Sequence, residues 1–258
     1  MEKIVSRSND KIKYASRLGS DSAFRREENR FLLEGARLCS DAVQSGIRPV
    51  RTFLTQAALK KYESYALAVT VASGEIYEIE EDIAKKLSDT DSPQGIFCVC
   101  EKKQSGGGLD CSGRYIALEN VQDPSNIGAI CRTVEALGLS GLIVSGGCDI
   151  YNPKALRAAM GSSLRLDITE TDNLPAFLRE AGEKGMTTLA AVPRADAADI
   201  RKTAINVGAI CCIGNEGNGL TEETADACAL RVTIPMKGRA ESLNASAAAA
   251  VLAWELVR

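Results

Sequence analysis

Apolar positions along the chain recur with two different spacings. Short runs of consecutive apolar residues predict buried strands, and stretches with an apolar residue at every third or fourth position predict amphipathic helices. In the first hundred residues the two kinds of segment alternate, which predicts a small α/β layer structure. The predicted helices there are 9–18, 36–44, 57–65 and 82–87, and the predicted strands are 31–33, 50–54, 75–79 and 95–100.

The same alternation resumes after residue 113 and continues to the end of the chain. Segment 209–214 is apolar throughout, which is typical of a strand in the middle of a parallel sheet. Such a sheet binds its ligand at the carboxyl ends of its strands. The other predicted strands are 114–119, 141–145, 164–169, 187–192 and 230–234, and the predicted helices are 127–137, 153–160, 174–183 and an alanine-rich final helix.

A glycine-rich segment, KKQSGGGLDCSG, separates the two regions at residues 102–113. Three consecutive glycines between two periodic regions are typical of a flexible linker. A phosphate-binding loop is not expected, because no helix with a Lys-Ser or Lys-Thr start follows. The sequence therefore predicts two domains, residues 1–105 and residues 112–258.

Composition narrows the possible chemistry. The chain has 258 residues, of which 45% are hydrophobic and 25% charged, as in ordinary globular proteins. It has neither an apolar run long enough to span a membrane nor a signal-peptide core at its start, so we expect a cytoplasmic protein without a membrane partner. It has no histidine, and its nine cysteines include no C-x-x-C pair. These features exclude Ser-His-Asp and Cys-His sites and favour reduced thiols and no metal site.

Charge is distributed unevenly along the chain. The net charge is −3, yet the first 60 residues hold twelve Lys or Arg and seven Asp or Glu, an excess of five positive charges. A basic front region on an acidic body favours a polyanionic partner for that region. A solvated helix face is the alternative.

Three polar loops follow predicted strands. Loop one is 119–133, loop two is 213–220 and loop three is 234–246. Each has a purely structural interpretation: Ser242 or Asn244 can cap the final helix, the glycines of loop two can be turn residues, and Arg132 can face solvent or pair with Glu135. The glycines of loop two do not have the G-x-G-x-x-G spacing, so a dinucleotide site is poorly supported. An arginine one turn inside a helix is also well placed to bind a phosphate.

Together, the loops resemble the three motifs of the SpoU, or TrmH-type, RNA ribose 2′-O-methyltransferases. Loop one contains N-x-x-x-P-x-N-x-G-x-x-x-R, loop two contains G-x-E-x-x-G, and loop three reads IPMKGRAESLNAS before the Ala-rich helix. The order matches, and the resemblance extends from about residue 114 to the end and includes YNPKALRAAMGS at 151–162. The front region is similar to the family's L30e-like substrate-binding domain through FLLEGARL at 31–38 and LSDTDSPQGI at 87–96.

The resemblance implies a fold, a cofactor and partners. The implied fold is α/β: a C-terminal parallel-sheet domain of the SPOUT class with a deep trefoil knot, preceded by a small L30e-like α/β domain. The implied cofactor is S-adenosylmethionine, and the implied substrate is RNA, with ribosomal RNA preferred to transfer RNA. A homodimer is implied, with Trp254 and the final helix as one possible interface; an ordinary core position suits them equally well. A noncatalytic RNA-binding protein and, less well supported, a nucleotide-dependent oxidoreductase are the alternatives.

The resemblance also implies roles for individual residues. The catalytic and substrate-orienting residues would be Asn126, Arg132, Glu216, Ser242 and Asn244. The cofactor-binding residues would be Gly214, Asn215, Gly217, Ile234, Met236 and Leu243. A guanidinium is almost never deprotonated in a protein, so we expect Arg132 to clamp a phosphate and stabilise an oxyanion.

Overall fold

The computed structural model describes residues 1–103, 108–205 and 208–258. The strands are β1 (Glu2–Ile4), β2 (Arg30–Glu34), β3 (Pro49–Thr55), β4 (Glu75–Ile79), β5 (Ile96–Glu101), β6 (Arg114–Glu119), β7 (Gly141–Ser145), β8 (Ile168–Glu170), β9 (Thr187–Ala191), β10 (Ala198–Asp199), β11 (Ala209–Ile213) and β12 (Leu230–Thr233). The helices are α1 (Asp10–Ser20), α2 (Ser22–Glu27), α3 (Ala36–Gln44), α4 (Gln56–Lys61), α5 (Glu63–Ala72), α6 (Glu81–Leu87), α7 (Pro124–Ala136), α8 (Pro153–Ala159), α9 (Ser162–Arg165), α10 (Leu174–Glu183), α11 (Glu222–Ala227) and α12 (Ala245–Val257), with a 3-10 turn at Ile200–Lys202.

The chain divides into two compact units. The first comprises Met1–Gln104 and Asp149–Leu164, and the second comprises Ser105–Cys148 and Arg165–Arg258. The whole segment YNPKALRAAMGS at 151–162, including α8, thus groups with the front region. The predicted domain bounds, residues 1–105 and 112–258, stay a prediction. Residues 104–107 of the predicted linker lie outside the described residues.

The first unit is built on a mixed sheet with strand order β1-β4-β3-β5-β2. Successive side chains of a strand point to opposite faces of the sheet, and the interiors of β2 and β5 are buried on both faces. Phe31 and Leu33 pack into a core that includes residues of α3 and α5, and Leu32 packs into a second core that includes residues of α1 and α6. This two-sided burial confirms the small α/β layer structure predicted for the front region.

A buried ion pair fixes one basic residue of the front region inside the first unit. Arg25 is only 2% exposed, and its Nε lies 2.5 Å from Asp149 Oδ2. Its Nη1 donates to the backbone oxygen of Leu18 at 2.7 Å. Because a buried charge requires such partners, Arg25 has a structural role and is not part of an exposed basic surface.

Two predicted elements of this part of the chain were wrong in detail. The helix predicted at 57–65 is two helices, α4 and α5, separated by Tyr62 in a non-helical conformation, and Tyr62 packs against the first core. Residue 164 was predicted to start a strand, but it lies in α9, and the strand begins at Ile168. Leu164 is buried in the first core instead, so its apolar character reflects tertiary packing.

The second unit is built on a parallel sheet with strand order β10-β12-β9-β11-β6-β7-β8. All strand pairs described in it are parallel. Helix α12 packs on α7, β6 and β11, and α10 packs on β9 and α11. The central strand β11 is fully buried, as predicted for 209–214. None of the helices in the described part of the chain has the length and apolar character that a membrane span requires.

Candidate functional site

Loop one begins where β6 ends. Asn120 has φ of 54°, a left-handed conformation that asparagine tolerates better than most residues, and it turns the chain out of the sheet. Asp123 then caps α7, its side chain accepting a hydrogen bond from Ser125 N at 2.8 Å. With Pro124 at the first helical position, the helix start is strongly specified. This start places Asn126 inward, where it is 6% exposed.

Loop two is a tightly closed turn at the end of β11. Asn215 and Gly219 pair through two backbone hydrogen bonds of 3.0 and 2.8 Å. The side-chain oxygen of Asn215 accepts from Gly217 N at 2.9 Å and Asn218 N at 3.1 Å. A Cβ on Gly214 would lie 2.0 Å from the carbonyl carbon of Gly219. Only glycine therefore fits at position 214 without opening the turn.

Glu216 and Asn215 attach loop two to loop one. The Glu216 carboxylate accepts from Gln122 N at 3.0 Å, Asp123 N at 3.1 Å and Asn126 Nδ2 at 2.9 Å. Asn215 Nδ2 donates to the backbone oxygen of Asn120 at 2.9 Å. The two loops thus hold each other through side chains that the sequence had suggested as ligand-binding groups.

Asn244 attaches loop three to the same cluster. Its Nδ2 donates to Asn126 Oδ1 at 3.1 Å, and its Oδ1 accepts from Ser246 N at 3.0 Å and from Ser246 Oγ at 2.7 Å. Asn244 is the N-cap of α12, as one of the two capping alternatives predicted. A chain of hydrogen bonds therefore links Glu216, Asn126, Asn244 and Ser246 across the three loops.

The Glu216 carboxylate determines which groups donate and which accept along this chain of hydrogen bonds. Burial raises the pKa of Glu216, but hydrogen bonds from Asn126 and from the Gln122 and Asp123 amides outweigh it and lower the pKa below the ordinary 4.5. Glu216 is therefore ionised at neutral pH and can only accept hydrogen bonds. The Asn126 NH₂ group must face it, so the Asn126 oxygen faces Asn244. A carboxylate with a lowered pKa is also a poor general base.

Arg132 and Ser242 lie at the surface of the same elements. Arg132 is exposed on α7, six residues after Asn126, and Ser242 is exposed two residues before Asn244. The structure thus brings Asn126, Glu216 and Asn244 into direct contact. Glu216, Asn244, Arg132 and Ser242 are all exposed to solvent.

Apolar side chains flank the polar groups of loop three. Ile234 and Met236 are half-buried, and Leu243 is 39% exposed beside Asn244. These residues lie between β12 and α12, where the chain has no helix or strand. Apolar surface next to a few convergent polar groups is the usual composition of a small-molecule site. In the described part of the chain, no group of three or more Cys, Asp or Glu is placed to hold a metal ion.

Sequence reasoning missed several residues that shape this region. The backbone amides of Gln122 and Asp123 donate hydrogen bonds to Glu216. The signal in the sequence was the Asp-Pro pair, which marks a helix start where backbone amides are free to bind such a group. Glu119, at the end of β6, accepts from Thr221 and Thr224. Its signal was an acidic residue at the end of an otherwise apolar strand.

Both regions of the chain match known protein families. Residues 113–254 match the SpoU rRNA Methylase family, and residues 9–98 match the MRM3-like substrate binding domain.

Two relatives align with most of the chain. The 23S rRNA (guanosine(2553)-2′-O)-methyltransferase RlmP of Bacillus subtilis is 28% identical over 257 residues, which cover 99% of this chain and 99% of the relative. The 23S rRNA (uridine(2479)-2′-O)-methyltransferase of Streptomyces viridochromogenes is 30% identical over 246 residues, 91% of this chain and 84% of the relative. The structure of an AdoMet-bound rRNA methyltransferase from Sinorhizobium meliloti superimposes with a TM-score of 0.87 at 27% identity, covering 99% of this chain and 97% of that one.

Proposed function

The chain belongs to the SpoU rRNA methylase family, and we propose that it transfers a methyl group from S-adenosylmethionine to a ribose 2′-hydroxyl of ribosomal RNA. The observation that carries this proposal is the hydrogen-bonded chain from Glu216 through Asn126 to Asn244. It connects all three motif loops into one preorganised site, as an enzyme that aligns two substrates requires. The full-length relatives named as 23S rRNA methyltransferases support ribosomal RNA as the substrate.

Loops two and three suit S-adenosylmethionine. Leu243, Ile234 and Met236 offer partly exposed apolar surface for an adenine ring. Gly217 is exposed in a turn of bare backbone that a flat ligand can approach closely. Gly214 is buried against Gly219, so it serves this site by allowing the turn to close. The Asn215 side chain is occupied by Asn120, Gly217 and Asn218, so we assign it the role of shaping that turn. When bound, the cofactor supplies an electrophilic methyl group on a sulfonium.

Arg132 and Ser242 act on the RNA, and the other polar residues of the site hold them in place. A guanidinium offers a fork of hydrogen-bond donors that fits a phosphate, so the exposed side chain of Arg132 clamps an RNA phosphate and stabilises negative charge developing on the 2′-oxygen. The exposed hydroxyl of Ser242 orients the ribose. Asn126, Glu216 and Asn244 keep these groups in register by holding α7, loop two and the start of α12 together.

The assay for this proposal uses labelled S-adenosylmethionine and unmodified total RNA, followed by mapping of the modified nucleotide. We expect label on a ribose of large-subunit ribosomal RNA and none with Arg132→Ala. Label confined to transfer RNA would instead support the alternative substrate. Cofactor binding without transfer to any RNA would support a noncatalytic RNA-binding protein.

The first unit supplies the grip on RNA in this proposal. Its support is the basic excess of the first 60 residues and the match to a substrate binding domain. Because each phosphate contact releases counterions, RNA affinity should fall steeply with salt. Replacing the exposed residues Lys13, Arg26 and Arg37 with neutral ones should lower the affinity for RNA. Arg25 is left unchanged because it is buried. An RNA affinity unchanged by all three substitutions would contradict this role.

A deep trefoil knot in the second unit is part of the proposal. The non-sequential strand order β10-β12-β9-β11-β6-β7-β8 and the similarity to solved SpoU-type structures support it. A crystal structure in which the backbone from β11 to the end of α12 passes through no loop would refute it. The cytoplasmic location expected from the sequence stays a prediction.

We also propose a homodimer formed through α12. Ala247, Val251 and Trp254 lie four and three residues apart and are exposed, Trp254 at 56%, so they form an apolar stripe along one face of the helix. Such a stripe is self-complementary across a two-fold axis. Light scattering should give twice the chain mass for the wild type and a lower mass for Val251→Glu; a monomeric wild type would refute the dimer.

A further inference from the structure

Glu119, the last residue of β6, holds the far end of loop two. Its carboxylate accepts hydrogen bonds from Thr221 N at 2.7 Å and Thr221 Oγ1 at 2.8 Å, and also from Thr224 Oγ1. Thr224 is fully buried, and a buried hydroxyl requires a partner. Hydrogen bonds to a charged acceptor are roughly twice as strong as neutral ones.

The position of Glu119 follows from strand pairing. Strand β11 pairs with β6 as far as Ile213 and Leu118, so the chain leaves the sheet as loop two next to Glu119. It returns at Thr221, the N-cap of α11, where Glu119 holds it. Loop two is therefore anchored at its start by the sheet and at its end by Glu119, while Glu216 holds its middle to loop one.

Capping of α11 does not by itself require Glu119. Thr221 Oγ1 already accepts from Thr224 N at 3.2 Å, which satisfies the helix start. What Glu119 adds is a connection between the end of β6 and the end of loop two, over a separation of 102 residues to Thr221. Without it, the hydrogen bonds described above would hold the closed turn around Gly214 at its start and its middle.

We propose that Glu119 is a positioning residue for cofactor binding: it holds loop two in the closed form that receives S-adenosylmethionine. The inference rests on the proposed function of loops two and three. Because Glu119 acts through Thr221 and Thr224, its loss should weaken cofactor affinity more than it slows the chemical step at saturating cofactor.

The experiment compares Glu119→Gln with the wild type. Glutamine keeps the shape but places an NH₂ group among hydrogen-bond donors. We expect the Kd for S-adenosylmethionine, by calorimetry, to rise about tenfold, and KM to rise in parallel while kcat changes by less than about threefold. Amide hydrogen exchange of residues 214–221 should accelerate. The matched control is Glu222→Gln, because Glu222 is an exposed carboxylate on α11 that pairs with Arg231, and this variant should match the wild type.

Partner-side variants keep the inference testable if Glu119→Gln does not fold. Thr224→Val removes a hydroxyl donor and should also raise the Kd for S-adenosylmethionine. Thr224→Ser keeps the donor and should keep the wild-type Kd. Wild-type Kd and exchange rates in both Glu119→Gln and Thr224→Val would overturn the inference. A wild-type protein that neither binds S-adenosylmethionine nor transfers methyl would instead refute the proposed function.

Discussion

Two sets of polar side chains share the three loops of the second unit, and they differ in the role that we propose for them. Asn126, Glu216 and Asn244 contact one another across loops that are distant in sequence. Arg132 and Ser242 sit on the same elements and, like Glu216 and Asn244, are exposed. The first set, the interlocked set, preorganises the site, and we assign the second set, the RNA-contacting set, to the RNA substrate. Substitutions in the two sets should therefore change different measured quantities.

The largest effect is expected for the RNA-contacting set. Arg132→Ala removes a charged donor from a site where negative charge develops, so kcat should fall by about 10²–10³-fold. The Kd for S-adenosylmethionine and the melting temperature should stay at wild-type values. Arg179→Ala, an exposed arginine on α10, is the control. A fully active Arg132→Ala variant would remove Arg132 from the mechanism.

The interlocked set should respond differently. Glu216→Gln exchanges a charged acceptor of three hydrogen bonds for an amide, and bonds to charged groups contribute about 1.5–3 kcal/mol each. Cofactor affinity and kcat should both fall, by about 10- to 100-fold in kcat/KM, in kinetics with labelled cofactor. Glu223→Gln, on the exposed first turn of α11, provides the comparison. Loss of kcat alone would place Glu216 with Arg132 in the RNA-contacting set.

Asn244 allows capping and loop attachment to be separated. Asn244→Ala loses both and should destabilise the fold by about 0.5–2 kcal/mol in chemical denaturation. Asn244→Asp keeps the acceptor for Ser246 but loses the donor to Asn126, so it should keep most of the stability and still lose activity. Equal activity of Asn244→Asp and the wild type would show that the contact with Asn126 is dispensable.

The smallest effect is a pH dependence. The pKa of Glu216 is lowered in the folded protein, so its contribution to stability is present above the ordinary value of 4.5 and is lost as the pH falls through the folded pKa. The melting temperature of the wild type should exceed that of Glu216→Gln at pH 7, and the difference should shrink from about pH 5 downward. A difference that stays constant over this range would mean that the carboxylate is not held by the three hydrogen bonds.

Local sequence patterns were sufficient for many elements and for the order of the motifs. The bounds predicted at 36–44, 75–79, 114–119, 141–145 and 174–183 agree with those of α3, β4, β6, β7 and α10. The apolar periodicity there is strong, and Gly or Asn residues mark several of the ends. The likeness of the three loops to one family was equally readable, because each motif is a short run of consecutive residues.

Tertiary structure decided what each polar residue does. Asn126 is 90 residues from Glu216 and 118 from Asn244 in sequence, so no local pattern shows that these side chains contact one another and not a ligand. The same holds for the contact between Glu119 and Thr221. Leu164 is a different case: its apolar character predicted a strand, but it lies in a helix and is buried by tertiary packing. Sequence determines propensity and spacing, whereas the pairing of distant polar groups depends on how the sheet brings strand ends together.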